Sequence, residues 1–166
     1  MERSLTDHAS QQIDKILHQI ENTYKKVPYF NDVFPLLESF FSFVEKNLFV
    51  YIYHSIMKVA EYLQIDTEIV VSSILEIDHI LKGEEKVLAF NKYLHVDHYI
   101  NAIGDQSFYS NEIFAKAGVK LNFIDTEIIE YKQFDNVFAP SLSIIDIMMF
   151  NSKEEIQVML KSDMLI

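Results

Sequence analysis

The chain is predicted to be α/β: an N-terminal helical segment, then a small, mainly parallel sheet flanked by helices. Three observations carry this. Residues 1–66 show helical apolar spacing, the period shortens after Asp66, and the remaining order of helix and strand signals alternates. Only three Gly and three Pro in 166 residues argue against an all-β sandwich.

The first helix follows from Ile13, Ile16, Leu17, Ile20 and Tyr24, which recur at i, i+3, i+4, i+7 and i+11. Ser4, Thr6 or Asp7 would cap its start, Lys25 and Lys26 would sit in its last turn, and Pro28 follows. Asn31-Asp32 would cap a second helix with the stripe Val33, Leu37, Phe40, Phe41 and Val44, Pro35 falling in its first turn. A third helix follows Asn47. Its residues Leu48, Ile52, Ile56, Val59 and Leu63 lie within about 80° of one another. The opposite side carries Val50, Tyr53 and Met57, so the helix is apolar on most of its circumference and is expected in the core.

Ile69-Val70-Val71 with Ile74 is a β-branched run, expected to be a buried strand. A helix is predicted after Gly83, on Val87, Leu88, Phe90 and Leu94. Val96–Ala102 is expected to be a second strand, and Asn111–Ala117 a short helix closed by Gly118. Val119–Ile124 alternates at period two and is a third strand; Ile128–Tyr131 is a fourth candidate. Helices over Ser143–Phe150 and Ser152–Leu160 close the chain. No repeat or Ser/Gly-rich linker marks an internal boundary, so a single domain over 1–166 is expected, with a helical segment 1–66 and a β-α-β portion 67–166. Three strands are few for a parallel sheet, which wants both faces covered. An open edge would invite a partner strand, including one from a second copy.

Composition narrows the function. Fourteen basic against 25 acidic residues leave a net charge of −11. That disfavours nucleic acid, whose backbone is held through Lys and Arg, and anionic lipid surfaces. The longest strongly apolar stretch without Asp, Glu, Lys or Arg, Asn47–Met57, has eleven residues, and about 17–25 are needed for a span. The first residues lack an apolar signal core, so a cytoplasmic location is expected. Without cysteine there is no disulfide, thiol nucleophile or Cys-ligated metal.

Ligands of open α/β sheets bind beyond the carboxyl ends of strands. That rule selects Ser72-Ser73, Asp125-Thr126 and, above all, the run from Asn101 through Gly104 to Tyr109 and Ser110. Gly104 would allow a positive φ and close backbone approach. The same run also reads as an ordinary βα loop with Ser110 or Asn111 as helix cap. Ser141-Leu142-Ser143-Ile144-Ile145-Asp146 is the clearest local motif: Ser143 as N-cap with Asp146 in the capping-box position, or an anion-binding turn. Tyr131-Lys132-Gln133-Phe134 reads as a ligand-stacking element or an edge strand. His95 and His98 straddle a helix–strand junction and form no metal signature. His54 on a mostly apolar helix reads as a hydrogen-bonded core histidine. No HExxH, P-loop or GxGxxG occurs, and no cofactor is indicated. The candidate ligand-binding residues are therefore Asn101, Gly104, Tyr109, Tyr131, Gln133, Ser141, Ser143 and Asp146, with no catalytic residue assigned.

Several segments, in order, carry a resemblance: Tyr24-Lys25-Lys26-Val27-Pro28-Tyr29-Phe30; Tyr99–Gly104 with Tyr109-Ser110, Phe114 and Gly118–Leu121; Glu130–Phe134; and Pro140–Asn151. The chain resembles the WbqC-like family over His8–Leu160. The family is bacterial and recurs with genes for O-antigen and other surface polysaccharides. The resemblance implies work on nucleotide-linked sugars, as a transferase, with a nucleotide-sugar or other small anion as ligand. Two departures stand out. The family's preceding segment, with QPxYFP-like and DDVQY-like strands, is not found in this sequence, so the resemblance implies a chain that is part of a larger family domain. Asp105 stands where related sequences tend to carry a second glycine. If that segment holds half of the site, the alternative is a non-catalytic remnant or an oligomeric interaction module.

Overall fold

The computed structural model describes residues 7–134, 137–162 and 164–165. Along the chain run α1 (Asp7–Tyr24), α2 (Phe30–Phe41), α3 (Leu48–Tyr62), α4 (Gly83–Tyr93), β1 (His98–Ala102), α5 (Asn111–Lys116), β2 (Lys120–Asp125), α6 (Ile144–Phe150), α7 (Lys153–Met159) and β3 (Met164–Leu165). The result is a mixed α/β protein with a small sheet, as the alternation of periods predicts. The chain divides into two compact units: Met1–Thr67 with Ile128–Lys161, and Glu68–Glu127 with Ser162–Ile166.

The first unit is helical. On α1 the stripe Ile13, Leu17, Ile20 and Tyr24 is half-buried while its neighbours face water. Leu17, Ile20 and Tyr24 pack against a core built from Val33, Leu37 and Phe40 of α2, Leu63 after α3, Met148 and Met149 of α6, and Ile156 of α7. The helix ends at Tyr24, so Lys25 and Lys26 follow it rather than occupy its last turn. Of its expected caps, Ser4 and Thr6 lie outside the described residues. α2 begins at Phe30, with Tyr29 as an N-cap that makes no side-chain bond. The Tyr29 N–H donates to the Met149 carbonyl at 3.1 Å, which sets the helix start ahead of Asn31-Asp32. Pro35 consequently falls inside the helix, on its exposed side, instead of in the first turn. α3 follows Asn47 as predicted, and Asn47 caps it, its Oδ1 accepting from Phe49 N at 2.9 Å and Val50 N at 3.3 Å.

The expected core position of α3 is not observed. Ala60 is its one buried residue, and Phe49, Ile52 and Ile56 are 55%, 46% and 50% exposed. The C-terminal end, with Val59, Tyr62 and Leu63, reaches the core. All-round apolarity signals burial only when neighbours surround a helix, and here they meet mainly its last turn.

The second unit holds the sheet, in strand order β1-β2-β3. β1 and β2 are parallel, in register from His98↔Lys120 to Ala102↔Ile124, with α5 in the crossover. β3 adds two residues antiparallel to the end of β2. Phe114, Val119, Leu121 and Phe123 form the core, with Val87, Leu88, Tyr99 and Tyr109 against it. Gly118, at φ 76°, supplies the left-handed residue that closes α5, and Val119 N bonds back to the Phe114 carbonyl at 3.0 Å.

Two predicted strands are absent among the described residues. Residues 66–71 are irregular, followed by a 3-10 turn at Ser72–Ile74. Ile69, Val70 and Ile74 are exposed. Their β-branching favours a pleated surface, but no strand pairs with them, and propensity without a ladder makes no sheet. Ile128–Tyr131 is likewise irregular, without a partner strand among the described residues. Side chains, not a ladder, hold the segment that follows.

Candidate functional site

Asp146 sits in the first turn of α6 and is 3% exposed. Its carboxylate accepts from Tyr24 Oη at 2.7 Å on Oδ1, and from Tyr131 Oη at 2.6 Å and Gln133 Nε2 at 3.0 Å on Oδ2. A buried carboxylate is tolerated when its lone pairs are filled this way. Three of the predicted residues, Tyr131, Gln133 and Asp146, therefore meet at one point.

Gln133 does more than donate to Asp146. Its Oε1 accepts from Ala139 N at 2.8 Å, and its Nε2 also donates to the Ala139 carbonyl at 3.1 Å. The amide thus stands in for a backbone partner and ties residue 133 to residue 139. This pairing takes the place of the expected edge strand. Aromatic rings surround the polar centre. Phe134 and Phe150 meet edge to face at 4.9 Å between centroids, Tyr24 lies 6.0 Å from Phe134, and Tyr131 lies 5.3 Å from Phe138. Phe134 is 42% exposed, so this shell reaches solvent.

Both phenols stay protonated at neutral pH. Burial, then the hydrogen bond to Asp146, pushes the Tyr131 hydroxyl up to about 12, partly offset by the Gln133 bond. The same two causes, in the same order, raise Tyr24 further. The arrangement is a fixed hydrogen-bonding centre rather than an acid–base pair for neutral pH.

Asp146 does not complete a capping box with Ser143. The Ser143 Oγ accepts from Ile145 N at 3.3 Å, while the Asp146 carboxylate turns to the two tyrosines and Gln133. The box occurs one helix later, between Ser152 and Glu155. An anion at the start of α6 would meet the Asp146 charge in the same turn. Ser141 lies exposed just before, with φ 59°.

Asn101, Gly104 and Tyr109 belong to the second unit. Asn101 Nδ2 donates to Asp105 Oδ2 at 3.3 Å. Gly104 lies in a 3-10 turn (Ile103–Phe108), without a positive φ, and an added Cβ would meet nothing within 4 Å. Its predicted conformational freedom is not used. Tyr109 packs against Tyr99 and Phe114, and burial with a Tyr109 hydrogen bond pushes Tyr99 up to about 12. Ser110 is the N-cap of α5 but makes no side-chain cap bond; its N–H donates to Glu84.

The histidines keep separate partners. His98 Nε2 bonds Asn122 Oδ1 at 2.9 Å, whereas His95 ends α4 at φ 55°. His54 stacks on Phe43 at 4.0 Å, and its Nδ1 has no partner among the described residues, in contrast to the expected hydrogen-bonded core histidine. Among the described residues no group of three His, Cys, Asp or Glu could hold a metal ion, and no helix is long and apolar enough to cross a membrane.

Tyr24 is the site residue that sequence reasoning left on a helix stripe. A tyrosine on a core-facing stripe carries a hydroxyl that needs a partner, and that is the signal that could have found it.

Together these features define an α/β protein whose helical unit encloses a carboxylate within two phenols, an amide and an aromatic shell. The WbqC-like protein family model matches residues 1–158, and the chain belongs to that family. No curated protein and no solved structure matches it.

Proposed function

We propose that this WbqC-like protein works in bacterial surface polysaccharide (O-antigen) biosynthesis, binding the sugar of an activated precursor beside Asp146, as a transferase of nucleotide-linked sugars would. One observation carries the reading: the Asp146 carboxylate, fixed by Tyr24, Tyr131 and Gln133, lies within an aromatic shell that opens at Phe134. A sugar offers C–H groups on its faces, which suit the exposed ring of Phe134, while the Asp146 cluster holds that aromatic shell in place. The buried negative charge favours the sugar over its phosphates at this point. Ser141 and Ser143 add exposed hydroxyls on the neighbouring turn.

Calorimetric titration of the full chain with UDP-, dTDP- and GDP-sugars tests this. Saturable binding of one of them, weakened at least tenfold by Phe134→Ala, is the expected result. Absence of binding at millimolar concentration would contradict it.

A second reading, an oligomeric interaction module, is favoured by the open outer edge of β1 and by Phe49, Ile52 and Ile56 on α3. Sedimentation equilibrium separates the two, since a strict monomer removes this reading.

A further inference from the structure

The outer face of α3 carries a pattern that fits its own copy. Phe49, Val50, Tyr53, Ile56 and Met57 fall within about 120° of helix circumference, at 100° per residue. No charged residue of the helix lies in that arc. Phe49, Val50, Ile56 and Met57 are 55%, 37%, 50% and 39% exposed, and Tyr53 stacks on Phe49 at 6.1 Å.

The spacing is palindromic. Read from either end, these five residues stand one, three, three and one positions apart, centred on Tyr53. A second α3 laid antiparallel across the face therefore meets the same pattern. Phe49 falls against the second copy's Met57, Val50 against its Ile56, and Tyr53 on the two-fold axis. Such self-complementarity is what an isologous interface requires. Phe49 on a methionine is also a favourable sulfur–aromatic pairing.

Area and charge point the same way. With Ile52 at the rim, the exposed fractions leave roughly 400 Å² of apolar side chain open on each copy, taking about 150–200 Å² for a fully exposed side chain of this size. A stable interface covers about 800 Å² of each partner, a little over half of it apolar, so the face has the extent a dimer needs. The same axis carries Lys46 beside the second copy's Glu61. Lys46 is exposed and in no ion pair among the described residues, whereas its neighbour Glu45 turns back to accept from Asn47 N at 2.8 Å.

We propose that α3 is the interface of a two-fold symmetric homodimer, packed antiparallel across Tyr53. The proposal rests on the oligomeric reading above and names its surface and its partner, a second copy of this chain, in place of the β1 edge.

Sedimentation equilibrium of the full chain should give a monomer–dimer equilibrium with a Kd on the order of 10 μM. Ile56→Glu should weaken it at least tenfold with an unchanged circular dichroism spectrum, because the side chain is exposed in the monomer and buried in the dimer. The chain has no cysteine, so Tyr53→Cys oxidised with diamide should give a disulfide-linked dimer, whereas Lys58→Cys, outside the arc, should not. The crosslink reads the contact even if the glutamate variant fails to fold. A strict monomer at millimolar concentration overturns this proposal and the oligomeric reading together. A dimer whose Kd is unchanged by Ile56→Glu, or that crosslinks no better through Tyr53→Cys than through Lys58→Cys, overturns this proposal alone and leaves the β1 edge as the contact.

Discussion

Tyr24 Oη donates to Asp146 Oδ1 at 2.7 Å, across 122 positions of sequence. This bond joins the end of the first helix to the first turn of α6. It closes the helical unit around a charge that would otherwise be buried at high cost. Tyr24→Phe keeps the ring packing on Phe134 and Phe150 and removes only the hydroxyl. Urea denaturation should show a loss of about 1–3 kcal/mol, the range for a hydrogen bond to a buried charged group.

Alkaline pH should weaken the fold through the same centre. A phenol whose folded value lies above its unfolded value near 10 stabilises the native state below pH 10, and that stabilisation is lost as pH rises through the folded value. Tyr131 sets the window from about 10 to about 12, and Tyr24 extends it. Denaturation midpoints measured from pH 8 to pH 12 should fall within that window. The fall should be shallower in the Tyr24→Phe/Tyr131→Phe double variant, with Tyr99 keeping its own share.

The two serine caps should differ in weight. Ser152 Oγ accepts from Glu155 N at 3.1 Å, and Ser152 N donates in turn to the Glu155 carboxylate at 2.7 Å. Ser143 makes one longer bond and no reciprocal one. Thermal melts should show Ser152→Ala costing about 1 kcal/mol and Ser143→Ala no more than about half of that.

That contrast shows where the sequence is legible. Period and closing chemistry are local, so the helices, the Gly118 closure and the parallel pair β1–β2 are legible directly. Position in the core is not local. The apolar circumference of α3 and the β-branched run Ile69–Val71 both suggest burial, and both remain largely exposed because their surroundings do not follow from their own residues. The site divides the same way. Tyr131, Gln133 and Asp146 lie within sixteen residues and were legible as candidates. Their convergence with Tyr24 depends on the tertiary fold, so it had no pattern of its own. Asp146 has the capping-box spacing from Ser143, but stronger donors elsewhere in the fold occupy its carboxylate.

Backbone strain gives a prediction free of the site. Gln64 closes α3 at φ 57°, with Ile65 N bonding the Ala60 carbonyl at 2.9 Å. Glycine favours that conformation, although it gives up more freedom on folding. Gln64→Gly should raise stability by about 0.5 kcal/mol in urea denaturation, even though the Gln157 side chain loses a 3.3 Å contact.

The central claim is that Asp146 and its donors act as one unit, and a double-mutant cycle between Tyr131→Phe and Asp146→Asn tests it most directly. Urea denaturation of the four proteins gives the coupling. The account predicts that Tyr131→Phe costs at least about 1 kcal/mol less when Asp146 is already asparagine. An equal cost in both backgrounds would contradict it.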